Sequence, residues 1–594
     1  MARFAKACDE AWEDDGKSPD QRRAHHILLL GQGGSGKTHV VQKLVFQTVS
    51  FIWPAASKDQ PTLMVVATSN AQAKNISSAD VKARTIHNAA GMRVQELINA
   101  KMRPGNKQAQ LTRLWDAVHV LIIEEVSMVA AAVYNMLDFR SMHGRSRTHD
   151  VSEATYKKAN HHFGRVPIVI HLGDFLQLSP TANIGLIEDV NGKRDDGSYR
   201  FPEPPSLEVQ HAIRVFGNIA HVFELRGTKR FKAGDPLIEF LQCMRAGERL
   251  RSEVWNTFRE TYASDNRGIL DPRHEQPKFM HGYGMAMYWE TIARWITKRA
   301  RRDAQALGVP CVFIQPVDEC NTIGRSAALR LLNIPNLHTT GNIHGVLPAH
   351  VGMRVRFTMK LSSRLGLAQE QRATIVDFLF KGEDRVRYNA CRPGELFRPH
   401  FLPAGVWLDV DDFKESPIRQ DVLPLVISPS METYIEGLEP LASHVVEWAR
   451  QKQLQRAQSL LLLDPVQTEF MWRSSETHTV KRTGFGLTHA DFFTSTASQG
   501  QTLRRGVTID CARQEPRGHQ GASDDQWWLH LYVMFSRATC MEDMLLLRPP
   551  PRDLLERGPP ASVKQALARF DAKIRDSTEA AAALAATMGM AVPR

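Results

Sequence analysis

The stretch Gly31-Gln32-Gly33-Gly34-Ser35-Gly36-Lys37-Thr38 restricts this chain more than any other feature. It has the form G-x-x-x-x-G-K-[ST]. It stands between an apolar run ending at Leu30 and a segment of helical character, Thr38 to Phe46. A buried strand that feeds a glycine-rich turn and a helix start makes an anion cradle, because backbone N–H groups and the helix dipole point at one place. The spacing predicts a strand over 26–30, a helix over 38–46 and a phosphate group between them. In such a loop Lys37 neutralises the β- and γ-phosphates and Thr38 turns its hydroxyl to Mg2+.

A second apolar run, His119 to Ile123, ends in Glu124 and Glu125. Two carboxylates at a strand end suit a metal shell (Glu124) and a general base acting on water (Glu125). A third run, Val166 to Leu172, leads into Gly173-Asp174-Phe175-Leu176-Gln177-Leu178, where Gln177 is placed to orient water or sense the γ-phosphate. Strands that end in polar residues at one sheet edge are where α/β folds put ligand contacts.

At 594 residues the chain is long enough for about four domains, and 43% apolar with 23% charged residues is ordinary globular composition. Lys and Arg (75) outnumber Asp and Glu (64), a formal charge of +11 that suggests a polyanionic partner. No two of the seven Cys are spaced as C-x-x-C, so neither a disulfide scaffold nor a cysteine-based zinc module is expected. No apolar run is long enough to span a bilayer, and the acids Asp9, Glu10, Glu13, Asp14 and Asp15 argue against a secretory or transit leader.

The motifs, taken in order, are similar to those of the superfamily-one helicases, and most closely to the PIF-type DNA helicases, relatives of RecD and the Helitron helicases. Thr62 to Ala73 resembles the family's A-P-T-G-x-A-A segment, and Thr85-Ile86-His87 its T-I-H. Glu124-Glu125-Val126-Ser127-Met128 resembles D-E-x-S-M, and Gly173 to Leu178 resembles G-D-F-x-Q-L. Leu225 and Arg230 fit L-x-x-x-x-R, with Met244-Arg245-Ala246-Gly247 following. Ser498 to Thr502 matches S-Q-G-Q-T, and Tyr532 to Arg537 resembles Y-V-A-L-S-R. The series runs from Gly31 to Leu547. Where the family has Asp, His and Lys, this chain has Glu124, Thr496 and Ala497.

The resemblance implies an α/β fold of two RecA-like domains with parallel sheets and a small SH3-like β-barrel inserted in the second. It divides the chain into an N-terminal extension (1–22), a first RecA-like domain (23–228) with a wedge at about 96–116, and a second RecA-like domain in two parts (229–345 and 478–552). The enlarged barrel insertion would occupy 346–477 and a tail 553–594, in which Ser562 to Ile574 reads as an amphipathic helix. It implies ATP bound by the residues from Gly31 to Thr38 with Gln499 and Gly500, Mg2+ held by Thr38 and Glu124, and catalysis by Lys37, Glu125, Gln177, Arg230 and Arg537. Arg230 and Arg537 would reach across a cleft to the γ-phosphate. Ser69, Asn70, His87 and Thr496 would touch DNA.

The function implied is an ATP-dependent helicase that moves 5′ to 3′ on single-stranded DNA and unwinds duplex at junctions, in repair, recombination or telomere maintenance. A monomer is expected, in the nucleus or mitochondrion if the source is eukaryotic, with no membrane partner. The alternative is a degenerate relative that binds nucleic acid without unwinding. A signalling GTPase is disfavoured because Asn106-Lys107 lacks the Asp of N-K-x-D.

Two basic stretches stay open. The segment Arg140 to Arg165 reads as a DNA path or a solvated loop, its histidines lacking the ordered spacing of a metal site. Lys298 to Arg302 reads as an exposed helix face rather than a nuclear address.

Overall fold

Five apolar runs rich in Leu, Ile and Val, each four to seven residues long, and one two-residue edge build a six-stranded parallel sheet in the computed structural model. The strands are β1 (His25–Gly31), β2 (Leu63–Ala67), β3 (Arg84–Thr85, a two-residue edge), β4 (Val120–Ile123), β5 (Ile168–Gly173) and β6 (His221–Leu225), in the order β3-β2-β4-β5-β1-β6. The structure describes residues 1–590 apart from 16, 18–20, 56, 58–59, 79, 93–105, 146–161, 179, 181–183, 189–204, 264–271, 321–324, 362–366, 412–425, 428–459, 474–476 and 514–521.

Alternation along the strands fills both faces of this sheet. Met64, Val66, Leu121 and Ile123 enter one core with Trp115, Tyr134 and Phe216. Leu63, Val65, Val120 and Ile122 enter the other with Val41, Val45 and Phe46. These last three lie on a continuous helix made of Lys37–Val40, a π-helical stretch Val41–Val45, and Phe46–Ile52.

A second parallel sheet orders Phe492–Thr494, Tyr283–Ala286, Val507–Asp510 and Met544–Leu547. Its core carries Phe240, Phe258, Trp528 and Phe535. The chain is thus mixed α/β with two parallel sheets. Between the sheet-forming segments lies a mainly antiparallel sheet of Val426–Ile427, Leu460–Leu463, Gly405–Val410, Arg372–Leu379, Arg354–Phe357 and Leu487–His489, in that order. The pairings of the described residues do not close it into a barrel. Beside it, Val466–Arg473 and Thr477–Gly484 form a hairpin that pairs with Val317–Glu319. Of the expected wedge, Asn106–Trp115 is a helix; the segment before it lies outside the described residues.

Packing refines three readings. The amphipathic helix expected over 562–574 lies within a longer one, Ala561–Thr587, which places Val563 in the second core and Phe570 in the first. Ser577 Oγ accepts the Val222 N–H at 3.0 Å, and Lys573 Nζ donates to the Gly217 and Ile219 carbonyls at 2.7 and 2.8 Å. Arg145 does not line a DNA path. It is half-buried and donates to the carbonyls of Gly164 at 2.9 Å and Trp115 at 3.2 Å, and desolvation brings its guanidinium down to about 10. Arg147, His149, Lys157, Lys158 and His161 lie outside the described residues. Within helix Trp289–Leu307, Arg299 is buried and paired with Asp303 at 2.6 Å, so Lys298–Arg302 is not wholly a solvated face.

Phe570 stacks on Phe175 and meets Phe216 edge-on, ring centroids 6.1 and 6.2 Å away. Phe570→Ala should cost about 3–5 kcal/mol, seen as a lowered urea midpoint for the unit that unfolds with the first sheet.

Two buried imidazoles add a pH term. His171 bonds the Tyr134 hydroxyl at 2.9 Å and is lowered to about 4 by burial; His344 bonds Thr488 at 2.9 Å and is lowered to about 3 by burial, with Arg356 and Arg482 adding to it. Unfolding lets both take protons below their ordinary value of 6.5. The unfolded state then binds more protons, so stability falls as pH drops from about 6.5. The melting midpoint should decrease between pH 7 and 5, less steeply in His171→Gln.

Candidate active site

The glycine loop, Glu124, Glu125, Gln177 and Arg230 all follow the carboxyl ends of the first sheet's strands. β1 runs into the glycine loop, β4 into Glu124 and Glu125, β5 into Asp174 to Gln177, and β6 into Thr228 to Arg230. Parallel strands bring these ends to one edge, whatever their separation in sequence.

The loop is shaped by its glycines. Gly34 (φ 82°) and Gly36 (φ 95°) adopt left-handed backbone that side chains resist. A Cβ on Gly34 would stand 2.5 Å from Arg230 Cβ and 2.9 Å from its backbone nitrogen; one on Gly33 would stand 2.5 Å from Arg230 Nη1. The segment after β6 is laid directly on the loop. Lys229 N–H donates to Gly34 O at 2.8 Å, and the Thr228 hydroxyl donates to Gly33 O at 3.1 Å. Lys37 Nζ donates to Gly31 O at 2.5 Å.

Glu125 is held at φ 49°, ψ 50°, a costly posture for a non-glycine residue and one found where function requires it. Glu124 Oε1 accepts from Thr38 Oγ1 at 3.5 Å. Burial, reinforced by the charge of Glu125, pushes the Glu124 carboxyl up to about 8. Glu124 Oε2 and Glu125 Oε2 are buried without a hydrogen-bond partner. Two orphaned carboxylate oxygens and a hydroxyl beside a phosphate cradle form the hard-oxygen donor set that Mg2+ takes, so the residues fit the ion.

Opposite them lie two arginines. Arg230 Nη1 donates to Ser536 O at 2.9 Å while its Nε is buried and unpartnered. Arg537, 1% exposed, donates to Val533 O at 3.0 Å and to the Ser536 hydroxyl at 2.8 Å. Burial, then the neighbouring charge of Arg230, lowers Arg537 to about 9. Burial lowers Arg230 as well, against the pull of Glu125. Two guanidiniums held close together in a sheltered place are costly unless an anion joins them.

These groups enclose a cavity of about 510 Å³. Five cations (Lys37, Lys229, Arg230, Arg504 and Arg537) face two acids (Glu124 and Glu125) across it. That excess suits a polyphosphate carrying a divalent ion. Gln177 is in its wall, with a buried, unpartnered Oε1.

A larger cavity, about 780 Å³, adjoins it and shares Gln72, Asn75, Gly500 and Thr502. Ser69 and Thr496 line it, together with Lys74, Trp289, Arg356 and Arg372. Arg356 lies over the Phe493 ring at 4.8 Å. Aromatic faces with guanidiniums are the means by which single strands are held without base reading.

The structure therefore gathers Gly33 to Thr38, Glu124, Glu125, Gln177, Arg230, Gly500 and Arg537 around one cavity. It does not gather all the expected residues. Gln32 faces a separate small cleft beside Arg245, and Gln499 lines the larger cavity. Asn70 and His87 line neither. Asn70 opens helix Asn70–Ile76, and His87 is half-buried in Ile86–Ala89. Lys229, Arg504 and Gln72 were missed, as were Trp289, Arg356 and Arg372. Lys229 adjoins Arg230 and could have been found by its charge; the others carry no local signal.

The PIF1-like helicase family model matches residues 14–233, which include the glycine loop, both glutamates, Gln177 and Arg230. Over that stretch the chain is similar to the PIF1-like helicases. Among solved structures, it is similar to two coordinating Pif1 helicases at forked dsDNA (15% identity, 97% of each chain covered, TM-score 0.52). It is also similar to Pif1 from Bacteroides in complex with ADP-AlF3 and ssDNA (14% identity, 94% of this chain and 95% of that one, TM-score 0.51). Bacteroides Pif1 bound to ssDNA matches at 14% identity over 93% of this chain and 94% of that one, TM-score 0.51. These likenesses are of fold. No curated protein matches the chain in sequence.

Gly34→Ala would strain the loop and drive Arg230 off it. Nucleotide affinity should fall at least about tenfold, measured by titration with a fluorescent ATP analogue, while the circular dichroism spectrum stays that of the wild type.

Proposed function

We propose that the chain is an ATP-driven DNA helicase that translocates 5′ to 3′ on single-stranded DNA and unwinds duplex at junctions. The observation that carries this reading is the approach of Arg230 and Arg537, 307 positions apart in sequence, to one glycine loop, with a second basic and aromatic cavity next to it. The family match over 14–233 supports it. The roles below, the RecA-like domains at 23–228 and 229–345 with 478–552, the SH3-like character of 346–477, and a monomer working in genome maintenance in the nucleus or mitochondrion belong to the same proposal.

ATP lies with its phosphates against the loop N–H groups. Lys37 holds the β- and γ-phosphates. Glu125 takes the proton of the attacking water, and Gln177 orients that water. Thr38 and Glu124 would hold Mg2+, which, when bound, screens phosphate charge. Arg230 and Arg537 meet the charge that develops on the γ-phosphate, an effect worth roughly 10³–10⁵ in rate for such arginines. Because Arg537 follows helix Asp524–Phe535, which joins two strands of the second sheet, its contact with the nucleotide draws the two sheets together. Hydrolysis releases that contact, and the cavity between the sheets changes shape around the strand it holds.

The test is ATP hydrolysis with and without single-stranded DNA, together with strand displacement from a tailed duplex. Wild type should hydrolyse ATP faster with DNA. Lys37→Ala should abolish both activities. Glu125→Gln should lower turnover by roughly 10²–10⁴ while leaving nucleotide affinity in place. A wild type that hydrolyses no ATP when single-stranded DNA is added overturns the proposal.

A further inference from the structure

The fold brings together three metal-ligating side chains that the sequence keeps far apart. Asp138 is on helix Ala131–Arg145, His162 begins the turn His162–Arg165, and His211 is on helix Leu207–Gly217. One ligand atom from each lies within 4.8 Å of the other two.

The detailed geometry favours an ion over an ordinary hydrogen-bonded cluster. Asp138, 1% exposed, accepts the Phe163 backbone N–H on Oδ1 and turns Oδ2 toward His162 Nδ1 at 3.4 Å. That distance is beyond the usual hydrogen-bond range of about 2.7–3.2 Å. It is close to the separation of two ligand atoms on one tetrahedral zinc, roughly 3.3 Å for bonds near 2.0 Å. The His162 and His211 rings stand 5.5 Å apart and tilted by 45°, not stacked. A carboxylate sunk this deeply is costly unless positive charge stands close by, and a metal ion supplies it.

We propose that Asp138, His162 and His211 bind Zn2+. Two imidazoles and one carboxylate select a borderline transition ion over Mg2+ or Ca2+, which prefer all-oxygen shells. Water completes the tetrahedron. The site lies before the amino end of β5, away from the strand ends that carry the phosphate loop. Its role is therefore structural. The ion staples the turn His162–Arg165 between two helices and fixes where β5 begins, and β5 is the strand that leads to Gln177.

The experiment uses the purified full chain. After incubation with Zn2+ and dialysis, elemental analysis should find one equivalent of zinc, and Zn2+ should raise the melting midpoint that a chelator lowers. Co2+ in its place should give the visible absorption of a tetrahedral site. His162→Gln and His211→Gln should each weaken zinc binding roughly tenfold or more. Both should retain wild-type DNA-stimulated ATPase, since neither residue touches the nucleotide cavity. With 23 histidines in the chain, adventitious binding is the competing outcome. Equal zinc in wild type and the double variant overturns the proposal, as does a midpoint that Zn2+ leaves unmoved. If the variants fold poorly, the wild-type Co2+ spectrum decides: absence of tetrahedral bands overturns the site.

Discussion

The contact on which the site depends is that of Arg230 with the bare backbone of Gly33 and Gly34. A side chain at either glycine would occupy the space in which Arg230 lies, its Cβ 2.5 Å from an Arg230 atom. The absence of those side chains lets a guanidinium rest on the phosphate loop and reach Ser536 O on its other side. Arg537 follows Ser536 directly and turns back on the Ser536 hydroxyl. The loop, the segment after β6 and the end of helix Asp524–Phe535 thus form one continuous polar seam. Both cations in that seam are short of counter-charge, so a polyphosphate relieves electrostatic cost on both sides at once.

The seam also links the two cavities. Gln177 faces the smaller one, and the next residue, Leu178, accepts on its carbonyl the Gln499 amide at 3.5 Å. Gln499 in turn lines the larger cavity. Gln72 lies in both walls and donates to Met128 Sδ at 3.2 Å. Asp174, three residues before Gln177, faces Arg245 at 3.5 Å, and Arg245 donates to the Tyr532 hydroxyl at 2.8 Å. A shift of the γ-phosphate side by a fraction of an ångström therefore moves groups that line the neighbouring cavity, through packed and hydrogen-bonded contacts that have little room to absorb it.

What could be read from the sequence follows from range. The strand ends at Gly31, Glu124 and Gln177 were legible because a parallel sheet buried on both faces writes its strands as continuous apolar runs. The polar residue closing each run then stands out. Arg230 and Arg537 were placed by motif order, not by any local property. Arg145 was misread because a basic residue near other basic residues looks solvated; its partners, the carbonyls of Trp115 and Gly164, are visible only once the helix has packed. Trp289, Arg356 and Arg372 converge from three separate elements and carry no periodic signal. Of the β-like stretch Leu347 to Phe357, only Arg354–Phe357 joins the antiparallel sheet, whose remaining register depends on pairings such as Val355 with His489, 134 positions away.

The C-terminal helix was legible as an amphipathic segment, but not where its apolar side would pack. Its buried apolar positions, Val563, Ala566 and Phe570, recur at helical spacing, yet Val563 enters the second core and Phe570 the first. A helix is stiff along its axis, so these anchors fix the distance between the back of the second core and β6 of the first sheet. Arg230 and Arg537 join the same two bodies at the loop. Two attachments at different points leave relative rotation as the soft motion and resist simple separation. Closure of the cleft on a nucleotide is then a turn about the helix, and the larger cavity, which takes residues from both sides, changes shape with that turn.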